Sequence, residues 1–198
     1  MAIQTLAVII LAYFLGSIPF GFLIAKIWNV DIRRHGSGNI GATNVLRNLG
    51  PIPGSIVFIL DLAKGTLPIL MAQPLTQNYW LITLSGAAAI LGHTFPIFLK
   101  FKGGRGAATG LGVLLGIAPD VFAVAVIFAL LVLFITRYIS VVSMSTAILV
   151  TSIFFVLQRP QPYTMVAGLV AILIIVRHIS NIKRLINKTE PKIGASRG

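Results

Sequence analysis

The sequence contains no cysteine and only four acidic residues, and each shortage excludes a class of chemistry. Without cysteine the chain has no thiolate nucleophile, no disulfide framework and no cysteine-ligated metal. The acids are Asp31, Asp61, Asp120 and Glu190. Because these acids and the three histidines are widely scattered, they form no cluster with the spacing of metal ligands. We therefore expect neither a metal nor another cofactor.

Charged residues as a whole are also scarce, at 10% of the chain against 57% hydrophobic residues. A soluble domain carries roughly 25% charged residues, so water is not the main solvent of this chain. No polar segment is long enough for a separate soluble domain, and we expect residues 1–198 to form a single all-α, polytopic membrane domain. The net charge of +12 favours anionic lipid head groups, an anionic substrate, or both as partners, rather than a nucleic acid.

Seven apolar segments are candidates for membrane-spanning helices, each of which needs about 20 apolar residues. They are 3–28, 53–73, 80–99, 107–118, 121–136, 139–157 and 165–179. Segment 107–118 is short and rich in glycine, which leaves both a brief span and a re-entrant segment open. The start of the chain has neither a basic region nor a small-residue cleavage site, so we expect no cleaved signal peptide.

The basic residues lie almost entirely on one side of these segments, and this asymmetry predicts the orientation in the membrane. Of the sixteen, only Lys64, inside the second segment, and Arg159, after the sixth, fall elsewhere; the others run from Lys26 to Arg197. The basic side is therefore expected to be cytoplasmic, with the N-terminus outside and the C-terminus in the cytoplasm. This arrangement needs an odd number of spans, and seven transmembrane helices satisfy it.

A glycine-rich polar stretch, residues 35–48, lies between the first two apolar segments. Its glycines and small polar residues are Ser37, Gly38, Asn39, Gly41, Thr43 and Asn44, and Arg47 follows. Glycines let backbone N–H groups approach a ligand closely, and the small polar side chains add donors, which suits a phosphate. The alternative is a plain glycine-rich turn between two helices.

A second stretch of the same chemistry follows the third apolar segment on the same side of the membrane. It reads Lys102-Gly103-Gly104-Arg105-Gly106 and directly precedes the fourth segment. Backbone N–H groups at a helix start, together with two cations, favour a second anion site. The spacing is not that of a Walker A loop. The alternative is that both cations only anchor the helix to lipid head groups.

Three further polar side chains lie near the cytoplasmic ends of the last two segments. Ser143 is about one turn inside the sixth segment, where a serine usually bonds a carbonyl of its own helix. His178 and Asn181 follow the seventh segment and share one helix face. This histidine could be a base or a phosphate ligand, and it could equally be an interfacial residue.

Two absent motifs limit the chemistry further. No histidine is followed five residues later by an aspartate, and no Gly-x-Ser-x-Gly nucleophile elbow is present. Acyl or phosphoryl transfer here would depend on positioning and electrostatics instead of an acid–base pair. Asp61 and Lys64, three residues apart at membrane depth, are most simply an ion pair, although ionisable groups at such depth are functional candidates.

Five motifs in this order resemble one family over nearly the whole chain. They are Gly16-Ser17-Ile18-Pro19-Phe20-Gly21, the run from Gly36 to Arg47, Asp61-Leu62-Ala63-Lys64-Gly65, the run from Gly92 to Gly106, and Arg177-His178 with Asn181-Ile182 and Arg184-Leu185. The chain is similar in these motifs and in topology to the bacterial acyl-phosphate:glycerol-3-phosphate acyltransferases, small inner-membrane enzymes of phospholipid synthesis. That family usually reads Gly-Gly-Lys-Gly where this chain has Arg105. Charge is kept, but arginine binds phosphate as a planar fork instead of a point charge.

The resemblance implies that a fatty acyl phosphate and glycerol 3-phosphate react at the cytoplasmic face of the inner membrane. The products would be 1-acyl-glycerol 3-phosphate and inorganic phosphate, without a covalent enzyme intermediate. The catalytic residues implied are Arg47, Arg105, Ser143, His178 and Asn181. The substrate-binding residues implied are Ser37, Gly38, Asn39, Gly41, Thr43, Asn44, Lys102, Gly103, Gly104 and Gly106. A functional link to the enzyme that makes acyl phosphate is also expected.

Two other classes compete with this interpretation. A transporter of a phosphorylated metabolite would also need a cationic site among short-looped helices, but we find no internal repeat, and the cations lie at one membrane face instead of mid-span. An acyltransferase that uses acyl-CoA is disfavoured by the missing His-x4-Asp motif. From the residues alone, the chain is a membrane protein that binds anions at its cytoplasmic face.

Overall fold

The structure is a computed structural model that describes residues 2–194; Arg197, used above for the orientation, lies outside them. The described part contains ten α-helices and no β-strand, which confirms the all-α prediction. The helices are α1 (Ala2–Ser17), α2 (Phe20–Ile27), α3 (Ala42–Leu49), α4 (Pro51–Ala72), α5 (Tyr79–Thr94), α6 (Ala107–Ile117), α7 (Pro119–Thr136), α8 (Ile139–Val156), α9 (Gln161–Arg177) and α10 (Ile179–Ile186).

Five stretches of the described chain are long and apolar enough to cross a membrane. They are Leu6–Ile27, Pro51–Leu75, Tyr79–Leu99, Pro119–Thr136 and Ile139–Val156. The pair α9 and α10 makes a sixth if its 56° bend is counted within one span. Helix α6 has 11 residues, about 16 Å at 1.5 Å per residue, against a hydrocarbon core of about 30 Å. The seven spans and their orientation therefore stay a prediction.

The chain divides into two compact units, Met1–Pro119 and Asp120–Gly198. In the first unit, glycines let helices pack backbone against backbone. A Cβ on Gly16 of α1 would collide with the carbonyl oxygen of Ala89 on α5, and one on Gly112 of α6 would collide with that of Leu62 on α4. Such small-residue contacts replace the hydrophobic effect, which does not drive helices together in lipid.

The connector between the first two apolar segments folds over a small apolar core of its own. This core consists of Ala25, Ile32, Ile40, Val45 and Val57, all buried. It packs Val45 of α3 against Val57 of α4. Leu99, from the 3-10 turn Ile97–Leu99 that follows α5, packs against the same core.

In the second unit, the residues after α10 return to the junction of α7 and α8. The backbone N–H of Ile193 donates to the carbonyl of Arg137 at 2.8 Å, and Nη2 of Arg137 donates to the carbonyl of Ile193 at 3.0 Å. Lys192 lies over the ring of Tyr138, 5.5 Å from its centroid. These contacts hold the tail against the junction of α7 and α8.

Candidate functional site

Asn44 is the centre of the first glycine-rich loop. Its Nδ2 donates to the backbone carbonyls of Ile32, His35 and Asn39 at 3.2, 3.0 and 2.8 Å. Its Oδ1 accepts from the backbone N–H of Ser37 at 3.1 Å. These bonds occupy the buried amide of Asn44, which therefore holds the shape of the loop. The groups that bind a ligand must come from the residues next to Asn44.

The loop needs glycine at its turn. Gly38 has φ +69°, a left-handed conformation that side-chain-bearing residues rarely adopt. The N–H of Gly41 donates to Oδ1 of Asn39 at 2.7 Å, and Gly41 caps α3. Thr43 and Arg47 stand one turn apart on α3, both half-buried, while Ser37 is exposed at the edge of the loop.

The second glycine-rich loop folds back on the end of α5. The N–H of Gly103 donates to the carbonyl of Thr94 at 3.2 Å, and that of Gly104 donates to the carbonyl of His93 at 3.0 Å. Gly106, with φ +82°, caps α6. Lys102 is exposed and Arg105 half-buried, one at each side of the buried Gly104.

An apolar groove of about 370 Å³ adjoins this second loop in the same unit. Its lining residues are Ile18, Pro19, Phe22, Leu23, Phe98 and Leu99. Ile18 and Pro19 form the break between α1 and α2, and the 3-10 turn that holds Phe98 and Leu99 ends three residues before Lys102. A cation and an apolar groove are thus close together in sequence and in the fold.

His178 lies at the break between α9 and α10 and is buried. Its Nδ1 is 2.8 Å from the carbonyl oxygen of Ile174, and because a carbonyl only accepts, Nδ1 must carry a hydrogen. In the neutral ring the lone pair is then on Nε2, which is the arrangement that a proton acceptor needs.

Asn181 bonds to Glu190, an acid that is not among the site residues predicted from the sequence. Its Nδ2 donates to Oε1 of Glu190 at 2.7 Å, and the hydroxyl of Ser140 donates to the same oxygen at 3.0 Å. Nε of Arg184 donates to Oε2 at 2.8 Å. Burial raises the pKa of Glu190, but these three donors outweigh it and hold the pKa below its usual value. The feature of the sequence that could have indicated Glu190 is its position as the single acidic residue in an otherwise basic C-terminal segment.

Ser143 makes the local bond that is usual for serine inside an apolar helix. Its hydroxyl donates to the carbonyl of Ile139, four residues back, at 3.0 Å. The side chain is half-buried. Its predicted role in catalysis stays a prediction.

The structure therefore groups the predicted residues within two units. The residues of both glycine-rich loops belong to the first unit, where Leu99 links the second loop to the core below the first. Ser143, His178 and Asn181 belong to the second unit. Asp61 and Lys64 form the ion pair that their spacing predicts, at 2.8 Å. Within residues 2–194, no three His, Asp or Glu side chains are grouped as a metal site requires.

Comparison with known proteins gives a consistent result over nearly the whole chain. The family model described as Glycerol-3-phosphate acyltransferase matches residues 6–188. A Bacillus velezensis protein named Glycerol-3-phosphate acyltransferase is 47% identical over 93% of this chain and 95% of its own length. The Bacillus subtilis (strain 168) protein of the same name is 46% identical over the same shares.

Two crystal structures of PlsY, an integral membrane glycerol 3-phosphate acyltransferase, are also similar to this chain. The glycerol 3-phosphate form matches with a TM-score of 0.93 and 42% identity, covering 96% of both chains. The lysophosphatidic acid form matches with a TM-score of 0.90 and 41% identity, covering 96% of this chain and 95% of the other.

Proposed function

Because the chain belongs to the glycerol-3-phosphate acyltransferase family, we propose that it acylates the 1-hydroxyl of sn-glycerol 3-phosphate with a fatty acyl phosphate. The products are 1-acyl-glycerol 3-phosphate and inorganic phosphate. This is the first acylation step of phospholipid synthesis, and it depends on another enzyme to make the acyl phosphate.

The observation that carries the proposal is the presence of two separate cationic loops in one unit. Arg47 follows the first loop, and Lys102 and Arg105 flank the second. Acyl phosphate and glycerol 3-phosphate each carry one phosphate, so the reaction needs two anion sites. Four glycine amides of the loops are bonded within the protein, namely those of Gly38, Gly41, Gly103 and Gly104. The two anion sites are therefore supported by the cations of the two loops.

The apolar groove supports a lipid donor. All six lining residues are apolar, and the groove adjoins the loop that carries Lys102. An acyl phosphate bound with its phosphate at this loop would place the first carbons of its chain against Phe98 and Leu99. The rest of the acyl chain would lie in the bilayer, which explains why the enzyme is embedded in the membrane.

The reaction we propose is direct attack of the glycerol hydroxyl on the acyl carbonyl. The new C–O ester bond forms, the bond to the phosphate oxygen breaks, and phosphate leaves with that electron pair. The hydroxyl proton passes to Nε2 of His178 or to an oxygen of the acyl phosphate itself. Because phosphate is a good leaving group and the chain has no cysteine or nucleophile elbow, no covalent enzyme intermediate is needed.

The remaining polar residues would position the two phosphates. Arg47, Lys102 and Arg105 act as cationic clamps. Ser37, Thr43 and Ser143 are assigned to orient the phosphates, and Asn44 and Asn181 act through the loop and through Glu190, whose positions they hold. We place this site on the cytoplasmic face, in a seven-span arrangement with the N-terminus outside, because the basic residues are concentrated on that side.

The test is phosphate release by the purified protein in lipidic mesophase. Palmitoyl phosphate is supplied with and without glycerol 3-phosphate, and palmitoyl-CoA is run in parallel. Release that depends on glycerol 3-phosphate and yields acylated product supports the proposal. Turnover with the CoA ester alone would overturn the donor assignment. No turnover with either donor, in folded protein, would lead to flux assays for a transported phosphorylated metabolite.

A further inference from the structure

Three buried ionisable side chains in the first unit have no part in the proposed reaction. Asp61, Lys64 and His93 are exposed by only 1%, 2% and 4%. Nζ of Lys64 lies 2.8 Å from Oδ1 of Asp61, and Nδ1 of His93 lies 3.5 Å from the same oxygen. Buried charges at membrane depth are costly, and apolar residues of similar size would serve helix packing at least as well. The cluster therefore needs another explanation.

One end of the cluster holds the break between α1 and α2. Nζ of Lys64 donates to the carbonyl of Ile18 at 2.9 Å and lies 5.5 Å from the ring centroid of Phe20. Carbonyls at the end of a helix such as α1 have no partner within that helix, and a cation is the donor that suits them. Lys64 thereby fixes Ile18, which lines the apolar groove.

The other end of the cluster holds the second glycine-rich loop. His93 accepts the N–H of Gly104 on its backbone carbonyl. Its ring also lies directly against Gly104, because a Cβ built there would overlap the Nε2, Cε1 and Cδ2 atoms of His93. The loop therefore contacts His93 through its backbone and through its ring, and a rotated ring would displace the loop.

We propose that His93, held by Asp61 and through it by Lys64, is a positioning residue for the loop Lys102–Gly106. The carboxylate of Asp61 lies 3.5 Å from Nδ1, and the opposite side of the ring lies against Gly104. Lys102 and Arg105 are then held at a set distance from the groove whose edge Lys64 fixes. The inference rests on the proposed function in one respect, namely that this loop binds a substrate phosphate.

The experiment compares His93→Leu with His93→Gln. Leucine fills the space but removes the polar contact with Asp61, whereas glutamine keeps a polar group there, and both leave the residues Asp61 and Lys64 unchanged. The matched control is Ser85→Ala, since Ser85 is buried on the same helix and bonds the carbonyl of Leu81, in its own helix, at 3.0 Å. For each variant, KM for each phosphorylated substrate, kcat and the unfolding temperature are measured.

We expect His93→Leu to raise KM for one of the two phosphorylated substrates at least tenfold, with kcat changed less than threefold. His93→Gln should restore that KM to within threefold of wild type, and Ser85→Ala should leave it unchanged. An equal loss with both substrates, no change in either KM, or a failure of glutamine to rescue would overturn the proposal.

A second readout keeps the test independent of folding and of the donor. Gly104→Ala disturbs the same contact from the loop side without replacing any of the three buried ionisable residues, and it should give the same rise in KM. Hydrogen–deuterium exchange at Gly103 and Gly104 should be faster in His93→Leu than in wild type, because both amides bond to the end of α5. Unchanged exchange would overturn the inference. Faster exchange in a protein that uses another donor would overturn only the proposed function.

Discussion

Arg47 is the side chain on which the proposed first phosphate site depends most. It stands on the turn of α3 that follows Thr43, at the end of a loop whose shape Asn44 holds. A guanidinium binds a phosphate with two parallel bonds, which a lysine cannot reproduce.

We expect Arg47→Ala to lower kcat/KM at least a hundredfold, about 2.7 kcal/mol of transition-state stabilisation. Arg47→Lys should recover part of this loss, since the charge returns without the fork. Arg34→Ala is the control, because Arg34 lies in the same connector with its side chain 84% exposed. Steady-state kinetics measure this effect. A kcat/KM for Arg47→Ala within threefold of wild type would show that Arg47 is not part of the site.

Glu190 is the residue whose hydrogen bonds make the second unit sensitive to acid. Its pKa is held below the ordinary value of 4.5, so its ionised form is favoured in the folded state. The stability this supplies is complete above the ordinary value and is lost as the pH falls through the lower, folded value.

Glu190→Gln should therefore lose about 2 kcal/mol of stability at pH 7, the size expected for hydrogen bonds to a buried charge. It should also lose less stability than wild type between neutral pH and pH 3. Thermal unfolding measured over this pH range tests both statements. If wild type and variant decline in parallel below pH 4.5, the carboxylate does not supply this stability.

At the scale of helices, the first unit is held together where glycines remove a side chain from a crossing. Helices α4 and α6 approach so closely that the backbone at Leu62 occupies the space of a Cβ on Gly112. The hydroxyl of Thr66 donates to the carbonyl of Gly112 at 2.8 Å, a bond that such an approach permits.

This packing predicts opposite effects for two helical glycines. Gly112→Ala should lower the unfolding temperature in detergent by several degrees, because two backbones must separate. Gly168→Ala on α9 should be neutral or slightly stabilising, since a Cβ there meets only the Thr151 side chain at an ordinary 3.7 Å. Equal effects of the two substitutions would contradict the role of backbone contact at this crossing.

For the whole molecule, the number of spans depends on whether α6 crosses the bilayer. If α6 crosses, the chain has seven spans and Lys188 lies on the same side as Arg34. If α6 is re-entrant, the three connectors after it and the C-terminal segment that carries Lys188 lie on the other side of the membrane. The total length of apolar helix does not distinguish the two arrangements, because α6 is too short to span without thinning of the bilayer or burial in protein.

The natural absence of cysteine makes this question direct to test. Single cysteines replace the exposed residues Arg34, Gln77 and Lys188 in three variants. A membrane-impermeant thiol reagent applied to intact and to opened cells should label Gln77→Cys from outside and the other two only after opening. Labelling of Lys188→Cys from outside would establish six spans.

The sequence by itself determined what depends on composition and on spacing along one helix. The hydrophobic content makes every spanning segment helical, because only a helix satisfies its own backbone in lipid. The three-residue spacing of Asp61 and Lys64 was enough to predict their ion pair, since residues three apart share a helix face. The glycines of the two loops likewise predicted turns, because a backbone with positive φ favours glycine, and Gly38 and Gly106 have such φ values.

Only the tertiary structure decided which polar groups are committed to the fold and which are presented to a ligand. The amide of Asn44 belongs to its loop, and that of Asn181 bonds Glu190. Glu190 also accepts from Ser140, 50 residues away in the chain. The ring of His93 supports a loop that follows it in sequence but returns to it in space. Such contacts depend on how helices cross and how loops close over them, and neither periodicity nor composition encodes the distance between two distant side chains.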